Sequence, residues 1–388
     1  MQQLIEDEVM LPRVEASRRF YRPELDGLRF FAFLGVFICH TFPLGPAFYS
    51  NLHLPIPWLW VAVVRSGAAG VDLFFALSAF LITSLLLKER QETGEVSLRL
   101  FYIRRILRIW PLYFLVVGLG VLFAAVPDRR HFWYYDPWLP WEYVAGYLLF
   151  SANWVYVFLG ITHSICAPLW TVSIEEQFYI VWPALVKRLK RRGMFIAGIV
   201  VLIVATASQF ALVLAKSSAG YVYYGSAARC TSLVLGIFLA LLVDRLPRLT
   251  AGTRFLLIFA GLAGWIVASG NDSDFNGPAS LRMLLDRAII SLASGAILYG
   301  CLYSRSKIVT GNRVVQLGKI SYGLYMLHSL GLLLALSVFH PVAGWQLLAT
   351  KALGFVVTLV LAFASYRWIE SPFLRLKNRF APVLSRPV

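Results

Sequence analysis

Charge is scarce in this chain. Only 14% of its 388 residues are Asp, Glu, Lys or Arg, against roughly a quarter in a soluble globular domain. That shortage, with 59% hydrophobic residues and a mean hydropathy of +0.69, excludes an ordinary soluble fold. No stretch of domain length returns to soluble composition, so the chain reads as one membrane domain with many spans. Acids are scarcest: 20 Asp and Glu stand against 36 Lys and Arg, a formal charge of +16. In a soluble protein that excess would point to nucleic acid. In a membrane protein it reports topology, because Lys and Arg collect in cytoplasmic loops, and no nucleic-acid partner is required. Cysteine is also rare. Cys39, Cys166, Cys230 and Cys301 have no CxxC or zinc spacing, so they read as unpaired small hydrophobes and not as a disulfide or metal framework. No cleavable signal peptide is apparent either. The first twenty residues mix both signs of charge without an apolar run, which leaves the first span as its own insertion signal.

What is present is a series of apolar runs. Residues 1–27 read as a cytoplasmic lead-in, 28–370 as the membrane domain and 371–388 as a basic cytoplasmic tail. Spans are expected at about 28–44, 67–87, 110–126, 168–186, 194–215, 227–243, 254–269, 284–303, 319–338 and 346–366. Residues 46–66, rich in Pro and Trp, read as an interfacial loop, and 131–143 as an aromatic segment. The basic loops at 88–109 and 187–193 should both be cytoplasmic. One helix, not two, must then return between them. The span is therefore assigned to 168–186, and 143–160 is left as an outer-side re-entrant or interfacial helix. The expectation is an all-α polytopic protein of about ten spans with both termini inside. Most Lys and Arg then lie inside, while the acids divide almost evenly.

Against this apolar background a few polar residues stand out. Arg29 and His40 lie eleven residues apart in the first span, almost a whole number of helical turns, so they share a face with a rise of roughly 16 Å. An imidazole near or beyond the midplane either serves a site or satisfies another helix. Asp72 lies near the outer end of the second span and has a capping alternative. Glu175 and Glu176 sit inside W-T-V-S-I-E-E-Q-F-Y-I-V-W-P at 170–183. Adjacent on a helix, they diverge by about 100°, so at most one faces a given site. Arg229 is the expected partner for one of these acids, Asp72 included. His328 lies midway along its span and is either a second site residue or a bridge between helices. Arg29, Arg104, Arg105 and Arg108 gather at the cytoplasmic mouth, where Arg104 and Arg108 share a helix face. Such a cluster suits phosphate groups, or lipid headgroups and topology alone.

Taken together, these stretches resemble the acyltransferase family 3 membrane proteins. Arg29 through His40 is similar to that family's Arg-x10-His motif. G-V-D-L-F-F at 70–75, R-R-I-L-R-I-W-P-L-Y at 104–113, W-T-V-S-I-E-E-Q-F-Y, Arg229 with Gly236, I-S-Y-G-L-Y-M-L-H and I-E-S-P at 369–372 resemble its other motifs, in order. One departure is Ala79 in L-S-A-F, where the family usually has glycine. The chain also ends soon after its last span, without the extracytoplasmic hydrolase-like domain of some members. The resemblance implies an integral protein of the inner (plasma) membrane, in contact with its lipids. It implies transfer of an acyl group, in the first instance acetyl, from acyl-CoA (acetyl-CoA) as co-substrate. The acceptor would be a hydroxyl of a carbohydrate, a lipid-linked glycan or a glycosylated metabolite. His40 would be the general base or acyl carrier, oriented by Glu175 or Glu176, with Asp72 second. Arg29, Arg104, Arg105 and Arg108 would take the CoA phosphates. Arg229, His328 and Tyr322 would be substrate or structural polar residues. A transporter or flippase using the same buried charges is the competing class, although the internal repeats typical of transporters are not visible. A sensor or scaffold without catalysis is a third.

Overall fold

The computed structural model describes residues 20–125, 139–270, 277–338 and 345–383. Among these residues the regular structure is helical, apart from one isolated bridge between Ser218 and Pro278. A helix satisfies its backbone polar groups within one segment, as lipid demands. In chain order the main helices are α1 (Pro23–Thr41), α2 (Gly70–Thr93), α3 (Leu98–Ala124), α4 (Trp141–Leu148), α5 (Ala152–Leu159), α6 (Leu169–Arg188) and α7 (Arg191–Leu214). They continue with α8 (Ser226–Leu242), α9 (Ala251–Ser269), α10 (Leu281–Cys301), α11 (Ser321–Val338) and α12 (Trp345–Ser365). The helices start where the sequence provides caps. Pro23 opens α1 with Glu24 and Asp26 in its first turn, and the Ser97, Thr250 and Ser280 hydroxyls accept backbone N–H groups at the starts of α3, α9 and α10. Gly94, at φ 83°, closes α2 in the left-handed conformation.

The chain is an all-α polytopic membrane protein. Each expected span appears as a helix, and seven helical stretches among the described residues are long and apolar enough to cross a membrane. The three that fall short, α1, α6 and α10, are those carrying Asp26 with Arg29, Glu175 with Glu176, and Asp286 with Arg287. Helices α4 and α5 hold eight residues each, roughly 12 Å, less than half the hydrocarbon thickness. The exposed apolar surface is arranged for lipid. Only 17% of the apolar stretch of α7 and of α9 is buried within the protein, against 72% for the stretch containing α2. Helices α1, α2 and α11 therefore sit inside, while α7 and α9 lie at the rim.

Residues 88–109, expected as a loop, are helical except at 94–97, and two further features differ from the sequence reading. Residues 46–66 are not loop but two helices, Pro46–Asn51 and Pro57–Ser66, and the second runs through a 3-10 turn at Gly67–Ala69 into α2. Their prolines occupy first-turn positions, where the missing N–H has no consequence. Trp58 and Trp60 remain exposed on this segment, as interfacial anchors do. Of the expected aromatic segment at 131–143, residues 131–138 lie outside the described residues. The second difference is at the start of α1, which begins at Pro23 and already buries Leu25 and Leu28.

Backbone-to-backbone packing places α1 and α2. A Cβ at Gly318 would overlap the Asp26 carbonyl, which pins the short helix Asn312–Lys319 against the start of α1. A Cβ at Gly236 of α8 would overlap the Ala76 carbonyl and come within 3.0 Å of the Ala79 methyl on α2. Ala79 thus faces glycine across a close helix contact.

Candidate active site

Helix α1 carries Arg29 in its first half and His40 in its last turn. At the far end, His40 Nδ1 lies 2.9 Å from His328 Nε2 of α11. The two rings are nearly parallel, at 12°, with centroids 5.2 Å apart. So long a centroid distance with so short a nitrogen contact places the rings edge to edge, as a directional hydrogen bond requires. His328 is fully buried and its Nδ1 lies 2.6 Å from the Tyr325 carbonyl. A carbonyl only accepts, so His328 Nδ1 carries the proton. In neutral His328 the Nε2 is then the acceptor, and His40 Nδ1–H donates to it. This chain leaves the lone pair of His40 on Nε2, to which no described residue hydrogen-bonds. His40 itself is exposed at the end of its helix. The result is an imidazole with a fixed tautomer and an open basic nitrogen. Phe33 and Phe37 pack beneath, with Phe33 edge-on to His328.

The partner of His40 is therefore a histidine, where sequence reasoning looked for Glu175, Glu176 or Asp72. Asp72 is instead committed elsewhere. Its carboxylate accepts from Arg229 at 2.7 Å and from Ser232 at 2.9 Å, and Arg287 lies 3.6 Å away. Arg229, expected to pair with one of these acids, takes Asp72, and is sealed by this contact and by the Trp170 and Tyr223 rings. Glu175 accepts from Tyr179 Oη at 3.3 Å, and Tyr179 meets Ser78 of α2 at 2.8 Å. Glu176 diverges from it, as helical geometry requires. Its Oε1 is buried without a hydrogen bond among the described residues. Tyr322 Oη donates to the Ile109 carbonyl and ties α11 to α3.

At the opposite end of α1 a cleft is lined by Arg29, Arg105 and Arg108, with Asp26, Ser78 and Ile82. Arg29 pairs with Asp26 at 3.0 Å. Arg105 lies over the Phe101 and Tyr179 rings, and its buried Nε has no hydrogen-bond partner among the described residues. Arg104 stands outside this group. It binds Glu89 at 2.7 Å and the Phe380 carbonyl at 2.9 Å. The pair that shares the cleft is Arg105 with Arg108, three apart, and not Arg104 with Arg108. Ser78 joins the cleft to Tyr179 and Glu175, so the acid of α6 communicates with the arginine end.

Sequence reasoning passed over Gln177, the residue after the two glutamates. It donates to the Phe150 carbonyl and to Asn153, and accepts from Ser226 at 2.7 Å. It thereby joins α5, α6 and α8. Its signal was visible as one more polar residue in an apolar helix. Arg287, also passed over, had a similar signal in D-R-A-I-I-S.

Comparison with known proteins agrees with this architecture. The family model described as "Acyltransferase domain" matches residues 22–367. A protein of Staphylococcus aureus named "Putative O-acetyltransferase" is 28% identical over 91% of this chain and 57% of its own length. "Putative peptidoglycan O-acetyltransferase YrhL" of Bacillus subtilis is 28% identical over 91% of this chain and 55% of its own. "Peptidoglycan O-acetyltransferase OatA" of Listeria monocytogenes is 26% identical over 95% and 58%. The chain thus spans somewhat more than half the length of these relatives. No solved structure matches it. The motifs in order, the helical membrane fold that positions them and a family match over nearly all the chain lead to one statement: this protein belongs to the acyltransferase family 3 membrane proteins.

Proposed function

We propose that the chain is an O-acetyltransferase of the plasma membrane, moving an acetyl group from acetyl-CoA to a hydroxyl of a surface glycan. Peptidoglycan is the glycan named for its relatives and is the first acceptor to test. The observation that carries the proposal is the polarity of α1: a guanidinium cleft at Arg29 and a free imidazole nitrogen at His40. On the charge-derived topology the cleft opens to the cytoplasm, where acyl-CoA is found, and His40 lies toward the outer face. Arg29, Arg105 and Arg108 offer planar donors to the CoA phosphates. Arg104, held by Glu89, supports the wall.

The chemistry follows from the tautomer. His40 Nε2 takes the proton of the acceptor hydroxyl as that oxygen attacks the thioester carbonyl. The new C–O bond forms and the C–S bond breaks. The thiolate of CoA leaves and recovers the proton from the imidazolium. The positive charge on His40 during this step is stabilised through Nδ1–H to His328, and through His328 to the Tyr325 carbonyl. The test is release of CoA by purified protein given labelled acetyl-CoA, with and without oligosaccharide from peptidoglycan. Release that requires the acceptor, with label recovered on sugar oxygen, supports the proposal. Transport of either compound without thioester cleavage overturns it.

A further inference from the structure

The Asp72 cluster carries more positive charge than it needs. One carboxylate serves two arginines, Arg229 at 2.7 Å and Arg287 at 3.6 Å. The next acid, Asp286, is held by Arg282 at 2.9 Å. The five charges leave one cation over, in a region enclosed by α2, α8 and α10. The two arginines are not equivalent. Arg229 is 1% exposed and its guanidinium also donates to the Tyr223 carbonyl. Arg287 makes no hydrogen bond among the described residues, and its side chain keeps 18% of its surface accessible. Its guanidinium lies over the Tyr223 ring, 5.0 Å from the centroid, which orients it. A mostly buried guanidinium without hydrogen bonds is an expensive arrangement, and its fork is shaped for an oxyanion.

We propose that Arg287 is an acceptor-binding residue that takes a carboxylate or phosphate carried by the glycan acceptor. The inference rests on the acetyltransferase reading above and adds a charge requirement for its substrate. Position supports it. Arg287 lies within the first two turns of α10, at the end assigned to the outer face. A continuous row of side chains leads from it to the histidines. Tyr223 meets Trp170, the adjacent Thr171 hydroxyl lies 3.0 Å from Tyr325 Oη, and the Tyr325 ring meets His328. An acceptor anchored at Arg287 would lie along this row with its hydroxyl toward His40 Nε2.

The test compares acceptors that differ in charge, using the full chain with acetyl-CoA. The probes are N-acetylglucosaminyl-N-acetylmuramic acid, its methyl ester, and N-acetylglucosamine 1-phosphate. The proposal predicts that wild type prefers an anionic probe over the ester. In Arg287→Gln that preference falls at least tenfold, and in Arg287→Lys, which keeps charge but not the fork, it falls partway. Preference for the acid or for the phosphate identifies the anion's source. An equal effect of Arg287→Gln on acid and ester, or none, overturns the proposal. Equilibrium binding of the same probes by calorimetry, without acetyl-CoA, decides it independently of turnover: affinity for both anions unchanged by Arg287→Gln rejects the subsite. Absence of CoA release with every probe would count against the acetyltransferase reading and not against the subsite.

Discussion

At the residue scale the account turns on who holds His40. An acid beside it would stabilise the imidazolium by charge. A neutral histidine hydrogen-bonded to a carbonyl fixes the tautomer and accepts from the imidazolium without a counter-charge. His328→Ala should therefore lower kcat by roughly 10²-fold while leaving the KM for acetyl-CoA unchanged. His328→Gln, whose amide oxygen can still accept from His40 Nδ1–H, should recover part of that loss. Steady-state kinetics on the two variants checks this, and equal losses would remove the tautomer argument. The Asp72–Arg229 pair belongs to stability. Breaking a buried pair from one side costs roughly 3–5 kcal/mol. Asp72→Leu should thus melt well below wild type in detergent, and Asp72→Leu with Arg229→Met should melt above the single variant. His40 was legible in the sequence because an imidazole in an apolar run demands a reason. Its partner was not, because two histidines 288 residues apart meet only once α1 and α11 pack. The same reason hid which acid Arg229 takes.

At the scale of elements, most spans were legible from hydropathy, and the basic loops decided the rest, including 168–186 over 143–160. Segment 46–66 was misread because proline breaks a helix interior but starts a helix at its first turn, and composition does not tell these apart. The Ala79 departure takes on meaning at the α2–α8 contact. Its methyl faces Gly236, whose own added Cβ would also overlap the Ala76 carbonyl. Gly236→Ala should destabilise by about 1–3 kcal/mol through overpacking. Adding Ala79→Gly should relieve only part of that, since the carbonyl remains. Thermal melting of the single and double variants checks it, and full rescue by Ala79→Gly would place the clash on the methyl alone.

At the scale of the whole molecule the reading depends on sidedness. The charge-derived topology puts the Arg29 cleft inside and His40 toward the outside. On a background with all four cysteines replaced, Cys introduced at Gln91 or Lys190 should react with an impermeant maleimide only from the cytoplasmic side. Cys at Ser50 or Gly160 should react only from the outer side. All four native positions are exposed, so labelling reports sidedness and not burial. Labelling of both sets from one face would dissolve the link between the two ends of α1.

That link has its most direct test in His40. Acceptor-dependent CoA release should be measured for wild type and His40→Ala at matched amounts of folded protein. The account predicts a loss of at least about 10²-fold in kcat with the KM for acetyl-CoA retained, because the arginine cleft is untouched. Full turnover by His40→Ala would contradict it and leave the histidine pair a packing device.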